Sequence, residues 1–309
     1  MVLTLAGGVG GAKMARGLAD LLSPDELVIA VNTGDDFLHC GLHISPDLDT
    51  VMYTLAGRAN PNTGWGLAHE SWRTHAALGR LGGPAWFRLG DDDLATHLRR
   101  TDLLQAGASL TQATRQLCEA YGVAHAIVPM SDAPAATRVH TVEGELAFQD
   151  YFVRRRCDPA VVRIEHVAAP MSEALAQALV SPRLQGIVIC PSNPWLSIAP
   201  LLAMPGMREA LIGAKVPVVV VSPIIGGAAV KGPTAKIMRE LGLESSSLEI
   251  AKFYATLADG IAIDDADASL AEAIAALGLR VLTGPTLMTN AASRQRLARS
   301  VLDFIGTLA

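Results

Sequence analysis

The sequence predicts an α/β protein built on a doubly wound, mostly parallel sheet that carries a helical insertion and a small antiparallel β region. Seven short runs rich in β-branched residues recur along the chain, and segments with helical periodicity separate them. Each run is continuously apolar rather than alternating, which is typical of strands covered by helices on both faces. The chain has 309 residues, half of them hydrophobic, so it can bury one large core.

A strand, a helix and a second strand open the chain in that order. The two strands are residues 2–6 and 27–31, and between them Met14, Leu18 and Leu22 share one helical face. Further buried strands are predicted at 124–128, 186–190, 218–221, 260–263 and 279–282. Parallel strands need helical crossovers between them, and the spacing of these runs leaves room for such helices.

Two segments depart from this alternation. Residues from about 50 to 121 are mainly helical in pattern and form a helical insertion. Residues 137–167 alternate in polarity, with strands expected at 138–142 and 147–153, and predict a small β insertion. The core then comprises residues 1–136 and 168–309.

Composition excludes several classes of protein. The formal charge is −5 and the isoelectric point about 5.9, and only Arg154–Arg156 concentrates basic residues. Proteins that bind nucleic acid normally present a basic face, so we expect no nucleic-acid partner. Cys40, Cys118, Cys157 and Cys190 lie far apart without a C-x-x-C spacing. This argues against both a zinc cage and a disulfide scaffold.

No segment has the character of a leader or a membrane span. The apolar opening at residues 1–6 is too short for the apolar region of a signal peptide. The run Val216–Val221 is interrupted by Pro217 and falls far short of the ~20 residues that cross a bilayer. We therefore expect a cytoplasmic protein without a membrane partner.

A glycine-rich loop follows the first strand and opens the first helix. Gly8, Gly10 and Gly11 allow a phosphate to approach the backbone, and Lys13 adds a positive charge. The loop differs from a Walker loop, which has glycine before the lysine and serine or threonine after it. It also differs from a dinucleotide fingerprint, because Lys13 takes the third glycine position and Asn32 the usual acidic position. A tight turn without a ligand is the alternative interpretation.

Aspartates are dense close to this loop. Asp35 and Asp36 follow the second strand, and Asp47 and Asp49 lie in the first turns of a helix that begins after Ser45. Acidic residues at a helix start gain ~0.3–1 kcal/mol from the helix dipole, which is the ordinary explanation. So many carboxylates beside a phosphate loop, however, would repel the phosphates unless a hard cation lay between them. This favours Mg²⁺ and metal-assisted transfer at a diphosphate. A further acidic set opens a later helix, at Asp91, Asp92 and Asp93.

Polar residues also follow two later strands. Ser192 and Asn193 come after the strand at 186–190, and Ser222 and Gly226 come after the strand at 218–221. Open α/β sheets bind ligands at the carboxyl ends of their strands, so these loops are candidate phosphate or base contacts. The alternative interpretation of each segment is an ordinary loop that contacts no ligand. Trp65 lies between two glycines, which can leave its ring exposed for stacking.

Together these segments make the chain resemble the CofD family, the 2-phospho-L-lactate transferases that make the deazaflavin coenzyme F-420. The stretches that carry the resemblance are Gly7–Lys13, Asn32–Asp36, Ile44–Thr50, Leu89–Asp91, Ala95–His97, Pro129–Asp132, Pro191–Pro194, Met204–Arg208 and Val221–Gly226. The stretch Ser45–Thr50 and the loop Ser222–Gly226 are specific to that family.

The resemblance implies a Rossmann-like fold, a homodimer and a Mg²⁺-dependent transfer. The family's donor is a guanosine diphosphate ester of a three-carbon acid (lactyl, enolpyruvyl or glyceryl), its acceptor is the deazaflavin alcohol Fo, and GMP leaves.

By this resemblance each candidate residue receives a role. The predicted nucleotide and phosphate contacts are Gly8, Gly10, Gly11, Lys13, Asn32, Ser192, Asn193, Ser222 and Gly226. The metal candidates are Asp35, Asp36 and Asp47. The catalytic candidates are Asp49, Asp91 and Asp93, and the candidates for Fo contact are Asp49, Thr50, Trp65 and Asp92.

One position departs from the family pattern. Asp92 stands where the family usually has arginine, which reverses a charge, and Arg88 or Arg99 are the candidates to compensate. A related family of nucleotide-sugar-binding regulators shares the glycine loop and the sheet, and is the competing hypothesis without turnover. A dinucleotide dehydrogenase is disfavoured by the missing third glycine and by Asn32.

Overall fold

The computed structural model describes residues 1–309, and its strands and helices alternate as expected for an α/β protein. The strands are β1 (Val2–Ala6), β2 (Leu27–Val31), β3 (Phe37–His39), β4 (Leu42–Ile44), β5 (Ala126–Pro129), β6 (Thr137–Thr141), β7 (Gly144–Ala147), β8 (Val161–His166), β9 (Gly186–Ile189), β10 (Val218–Val221), β11 (Ile224–Ile225), β12 (Ala228–Ala229), β13 (Gly260–Ile263) and β14 (Arg280–Thr283). The helices are α1 (Gly8–Ala19), α2 (Pro46–Leu55), α3 (Arg73–Arg80), α4 (Asp91–Gln105), α5 (Leu110–Ala120), α6 (Glu173–Leu179), α7 (Ala199–Leu202), α8 (Met207–Gly213), α9 (Thr234–Glu240), α10 (Ser247–Tyr254), α11 (Ala271–Ala275) and α12 (Ala291–Leu308).

The central sheet has seven strands in the order β14-β13-β10-β9-β1-β2-β5. Every neighbouring pair in it is parallel, and all seven predicted strands are present. The order reverses direction at β1, since the chain first builds towards β2 and β5 and then returns to add β9 on the other side. Loops after β1 and β9 diverge at such a switch point and open a crevice, which is where this fold binds ligands.

Helices cover both faces of the sheet, and alternate residues of β1 show how the core divides. Val2 and Ala6 face a layer that includes α1, α2, α5 and α12. Leu3 and Leu5 face the other layer, which includes α6, α7, α8 and α10. This two-sided burial explains why each strand is apolar throughout, as the sequence predicts. No helix is both long and apolar enough to cross a membrane.

The β insertion differs from its prediction. Strand β6 lies close to the predicted 138–142, but the expected strand at 147–153 is wrong. Pairing there stops at Ala147, and Asp150–Arg154 form a π-helical turn instead. The side chains of Phe148 and Tyr151 are both buried in the same small hydrophobic cluster. They are three residues apart, which is a helical spacing, but the alternating polarity of the segment indicates a strand. The third strand of this sheet is β8, which pairs with β6.

The segment predicted as a helical insertion contains most of α2 together with α3, α4 and α5. Residues 56–72 and 81–90 are largely irregular, so the segment is less helical than its pattern indicates. Its helix α4 begins at Asp91, where the acidic run predicts a helix start.

Candidate functional site

The glycine loop brings the start of α1 into close contact with neighbouring loops. A Cβ added to Gly10 would lie 2.2 Å from the carbonyl oxygen of Pro191, and one added to Gly7 would lie 2.6 Å from Asp47 Oδ2. A Cβ on Gly11 would lie 2.7 Å from Ser192 Oγ. These glycines are therefore required by the protein's own packing at the switch point.

The start of α1 retains two backbone donors. The first four N–H groups of a helix have no intrahelical partner. Here the N–H of Gly7 donates to Ser192 Oγ at 3.2 Å and that of Gly8 donates to Asp47 Oδ1 at 2.7 Å. The N–H groups of Val9 and Gly10 are left, at the positive end of the helix dipole. A phosphate oxygen is the kind of acceptor that this arrangement suits.

Substituting Gly10 with alanine tests how tightly the loop is packed. The new methyl group would overlap the Pro191 carbonyl, so we expect the free energy of unfolding to fall by about 1–3 kcal/mol. Gly213, at the end of α8, has open space around its Cβ position and is the matched control. Gly213→Ala should leave stability unchanged or raise it by about 0.4–1 kcal/mol. Urea denaturation of both variants gives the comparison, and equal stabilities would contradict the packing argument.

Asn32 connects two of the three aspartates that are candidate metal ligands. Its Nδ2 donates to Asp35 Oδ1 at 3.1 Å and to Asp47 Oδ2 at 3.0 Å, and its Oδ1 accepts the Gly34 N–H at 2.8 Å. An acidic residue at the end of β2 could not donate to these carboxylates. The departure from a dinucleotide-binding pattern thus has a local cause: Asn32 holds the carboxylates of Asp35 and Asp47 beside the start of α1.

Asp36 completes this acidic cluster of Asp35, Asp36 and Asp47. Ser45 Oγ donates to Asp36 Oδ2 at 2.7 Å, and His43 Nε2 lies 3.2 Å from the same oxygen. Ser45 occupies the N-cap position of α2 as predicted, but its hydroxyl binds Asp36 instead of a helix N–H. The other oxygen of Asp36, Oδ1, is buried without a hydrogen-bond partner. A buried carboxylate oxygen without a donor is available to a cation.

Burial raises the pKa values of all three carboxyl groups in the acidic cluster. Burial, with Asp47 and Asp36 nearby, raises the pKa of Asp35 well above its ordinary value. Burial likewise raises the pKa of Asp36, and it raises that of Asp47 to about 6 although Asn32 and the Gly8 N–H favour the ionised form. Like charges confined in a low-dielectric pocket favour uptake of a proton or a cation.

The raised pKa of Asp47 should make the stability of the protein depend on pH. This pKa rises from 3.8 to about 6 in the folded protein, so between these values the folded state binds more protons and loses stability as pH rises. His166 acts oppositely, because burial lowers its pKa from 6.5 to about 4 and the unfolded state is then the more protonated one. The measurement is therefore the difference between Asp47→Asn and the wild type. Relative to the wild type, the variant should gain stability from pH 4 to 6 in metal-free urea denaturation, and a constant difference would contradict this.

Asp49 belongs to a second polar cluster, which adjoins the first. The charge of Asp49 contributes to raising the pKa of Asp35, and that of Arg100 opposes the rise in the pKa of Asp36. Arg100 donates to both of its oxygens, from Nη1 to Oδ2 at 3.0 Å and from Nη2 to Oδ1. Arg100 is only 1% exposed and Asp49 only 5%. His97 lies between the partners, with Nδ1 at 3.1 Å from Arg100 Nη1 and 3.6 Å from Asp49 Oδ2. Thr50, next to Asp49, is buried as well.

Asp93 joins the same network through His97. The Tyr53 hydroxyl donates to Asp93 Oδ1 at 2.8 Å, and His97 Nε2 lies 3.3 Å from that oxygen. Two predicted catalytic residues, Asp49 and Asp93, are thereby brought together, although they lie on different helices. We call Asp49, Tyr53, Asp93, His97 and Arg100 the arginine network.

Asp91 and Asp92 lie outside the arginine network. Asp91 accepts hydrogen bonds from the Ser71 hydroxyl and from the N–H groups of Arg73 and Thr74, at the start of α3. These donors hold its pKa below the ordinary range. The Asp92 side chain is exposed, and its N–H donates to Glu70 Oε2 at 3.0 Å. The roles predicted for Asp91 and Asp92 remain predictions.

The remaining candidates from the acidic helix and its surroundings lie apart. Arg88 stacks its guanidinium 4.3 Å from the centre of the Trp72 ring, and Arg99 pairs with Asp102 in solvent. The compensation for Asp92 that is predicted for Arg88 or Arg99 stays a prediction. Trp65 is 49% exposed and follows Gly64, whose Cβ position is 2.7 Å from Val9 Cγ1. The backbone that carries the Trp65 ring therefore lies close to the start of α1.

In the loops after β9 and β10, most polar side chains form hydrogen bonds to other groups of the protein. Ser192 Oγ donates to the Gly7 carbonyl at 2.8 Å, and Ser222 Oγ lies 2.9 Å from Ser247 Oγ. Gly226 has a φ of +55°, and its N–H donates to Asp267 Oδ1 at 3.1 Å. Asn193 Oδ1 accepts two backbone N–H groups, but its Nδ2 is buried without a partner. That amide is a free donor at the crevice.

Sequence reasoning missed Arg100 as a site residue and left His97 without a role. A signal for both was present, because Asp93, His97 and Arg100 fall at i, i+4 and i+7 and so share one face of α4. Three ionisable residues on the face of a helix that packs inward indicate a buried polar network. The partner, Asp49, lies 51 positions earlier in the chain, so no local pattern joins it to Arg100.

A parallel sheet whose switch point combines a glycine-rich helix start with buried aspartates defines an α/β protein of the class that binds phosphate-containing ligands. Comparison with known families makes this specific. The family model described as 2-phospho-L-lactate transferase CofD matches residues 2–278, and the chain belongs to this family.

Individual relatives are similar over nearly their whole length. The chain is 38% identical to a 2-phospho-L-lactate transferase of Methanosarcina acetivorans, over 99% of this chain and 100% of that one. It is 41% identical to a phosphoenolpyruvate transferase of Kitasatospora aureofaciens, over 97% and 96%. A crystal structure of a UPF0052 family member from Bacillus halodurans aligns with a TM-score of 0.61 at 14% identity, covering 97% and 98% of the two chains. That likeness concerns the fold.

Proposed function

We propose that this protein transfers a phospho-(three-carbon acid) group from its guanosine diphosphate ester to the deazaflavin Fo, with release of GMP, in the biosynthesis of coenzyme F-420. The observation that carries the proposal is the acidic cluster, which lies beside two free N–H groups at the start of α1 in a chain of the CofD family. A diphosphate would accept from those N–H groups, and the carboxylates would lie next to it.

The residues of the acidic cluster fit a magnesium ion. Asp36 Oδ1 is buried without a donor, and burial destabilises the ionised cluster in the absence of a cation. The carboxylates do not form a ready cage of three or more protein ligands. Mg²⁺ usually takes one or two carboxylates and completes its shell with phosphate oxygens and water. When bound, it would neutralise charge on the diphosphate during transfer.

The protein's own residues would then act mainly by positioning. Val9 and Gly10 would donate to the diphosphate, and Asn32 would hold Asp35 and Asp47 towards it. Asp49, fixed by Arg100, would orient the terminal ribityl hydroxyl of Fo. Phosphoryl transfer requires little covalent chemistry from the protein, so alignment and electrostatics would supply most of the rate.

The direct test is turnover with each candidate donor. The protein is incubated with Fo, Mg²⁺ and the lactyl, enolpyruvyl or glyceryl ester of guanosine diphosphate, and the product mass is measured. The proposal is supported if one of these donors yields a product whose mass equals that of Fo plus the phospho-acid group. Binding of a UDP-sugar without turnover of any donor would favour the nucleotide-sugar regulator instead. One relative is a 2-phospho-L-lactate transferase and another a phosphoenolpyruvate transferase, so all three donors are needed.

We also propose a homodimer, as the family resemblance implies. Analytical ultracentrifugation of the full chain tests this, and a single species at the monomer mass of 32.4 kDa would contradict it.

A further inference from the structure

Three basic side chains from separate segments lie around the outer side of α1. Lys13 is on the helix itself, and its Nζ donates to the Met288 carbonyl at 3.0 Å, just before α12. Lys231 follows β12 and donates from Nζ to the Thr63 carbonyl. A Cβ built on Gly64 would lie 3.2 Å from Lys231 Nζ and 2.7 Å from Val9 Cγ1, so this ammonium group lies beside the first turn of α1.

Arg294 approaches the same side of α1 from α12. Its carbonyl oxygen would lie 2.6 Å from a Cβ built on Gly17, one turn beyond Lys13 on the same face of the helix. The charges of Lys231 and Arg294 both contribute to lowering the pKa of Lys13, after burial, which is consistent with their proximity. We call Lys13, Lys231 and Arg294 the basic cluster.

No carboxylate neutralises the basic cluster. None of its three members forms a salt bridge, and the acceptors of both lysines are neutral carbonyl oxygens. Arg294 Nε is buried without any hydrogen-bond partner. Three unpaired cations in one place repel one another, and an unpaired buried donor carries a desolvation cost. An anionic ligand with several oxygens would remove both penalties.

The topology separates the basic cluster from the acidic cluster. Relative to β1, Asp35 and Asp36 follow the neighbouring strand β2, whereas Lys231 and Arg294 come from the side of β10 and β14. The free N–H groups of Val9 and Gly10 lie at the start of α1, beside Asp47 and Lys231, and Lys13 and Arg294 follow along the helix. A diphosphate bound there would therefore have carboxylates on one side and unpaired cations on the other.

From this geometry we infer that Lys13, Lys231 and Arg294 form the subsite for the leaving phosphate, that of the nucleoside monophosphate. The inference rests on the proposed function. In the transfer, the acceptor hydroxyl oxygen forms a bond to the phosphorus that carries the acid, and the bond from this phosphorus to the bridging oxygen breaks. The bridging oxygen keeps the electron pair and becomes part of GMP, and the hydroxyl proton is released to water. Nucleophile and leaving oxygen lie in line, so negative charge develops on the side opposite the acceptor, where the basic cluster would stabilise it.

The test measures GMP binding to the full-length protein by calorimetry, with guanosine as the probe that lacks the phosphate. Lys231→Met and Arg294→Met should each weaken GMP binding about tenfold, since each removes charge-assisted hydrogen bonds to phosphate. Their affinity for guanosine should stay unchanged. The matched control is Arg299→Met, an exposed arginine on the same helix, which should bind GMP like the wild type. In turnover assays the two variants should lose kcat while the KM for Fo is retained.

Different failures point to different conclusions. If the wild type binds GMP and both variants bind it equally well, the basic cluster is not the phosphate subsite and the proposed function is unaffected. If GMP and guanosine binding fall together, the residues act on the fold or the base, and the inference is wrong. Absence of GMP and GDP binding to the wild type would overturn the inference and the proposed function together. Lys231 is exposed on a loop, so its variant remains informative even if Arg294→Met is unstable.

Discussion

Arg100→Met is expected to destabilise the protein by about 3–5 kcal/mol, because it leaves Asp49 as an unpaired charge in the interior. Arg100 donates to both oxygens of Asp49, and the two side chains are almost completely buried. Asp49 is only 5% exposed, so water replaces few of the lost hydrogen bonds. Urea denaturation with two-state analysis gives the free energy of unfolding directly.

A neighbouring residue provides the control for this prediction. Arg99 is next in sequence but pairs with Asp102 in solvent, so Arg99→Met should cost less than about 1 kcal/mol. Adding Asp49→Leu to Arg100→Met should recover part of the loss, since no unpaired charge then remains. If Arg100→Met were as stable as Arg99→Met, the arginine network would have no structural importance.

Asp35→Asn is expected to lower the transfer rate on the order of 10²–10³-fold while the protein stays folded. The substitution keeps the shape of the side chain and removes a carboxylate next to the start of α1. It also relieves repulsion with Asp47 and Asp36, so stability should be unchanged or raised. Turnover with Fo at increasing Mg²⁺ concentrations measures the effect, with Asp303→Asn, an exposed aspartate of α12, as the control.

The magnesium dependence gives this prediction a second readout. If Asp35 helps to hold the ion, the Mg²⁺ concentration for half-maximal rate should rise in Asp35→Asn and stay constant in Asp303→Asn. An equal loss of rate at all Mg²⁺ concentrations, without any shift in the half-maximal value, would place Asp35 outside the metal site.

The parallel sheet could be predicted from the sequence because its signal is local. Each buried strand, such as Gly186–Ile189, is a continuous apolar run followed by loop residues. The β insertion could be predicted only in part, since Phe148 and Tyr151 fit both an alternating and a helical spacing until their common burial is known. Local patterns therefore identify elements well where one periodicity dominates and poorly where two compete.

The candidate site shows the same limit. The glycine loop and the aspartates could be located from the sequence, because glycines and carboxylates at strand ends are local features. Their partners could not, since Asn32 reaches Asp47 and Arg100 reaches Asp49 only after folding. The sequence also does not show why the loop needs glycine at position 10. The Pro191 carbonyl leaves no room for a side chain there, whatever ligand binds.

The proposed function requires the acidic cluster and the start of α1 to hold a diphosphate together with a divalent cation. Calorimetric titration of GDP into the wild type, once with Mg²⁺ and once with EDTA, tests it most directly. We expect GDP to bind at least about tenfold more tightly with Mg²⁺, and this gain to disappear in Asp35→Asn. Equal GDP affinity in Mg²⁺ and in EDTA would contradict a shared site for the diphosphate and the cation.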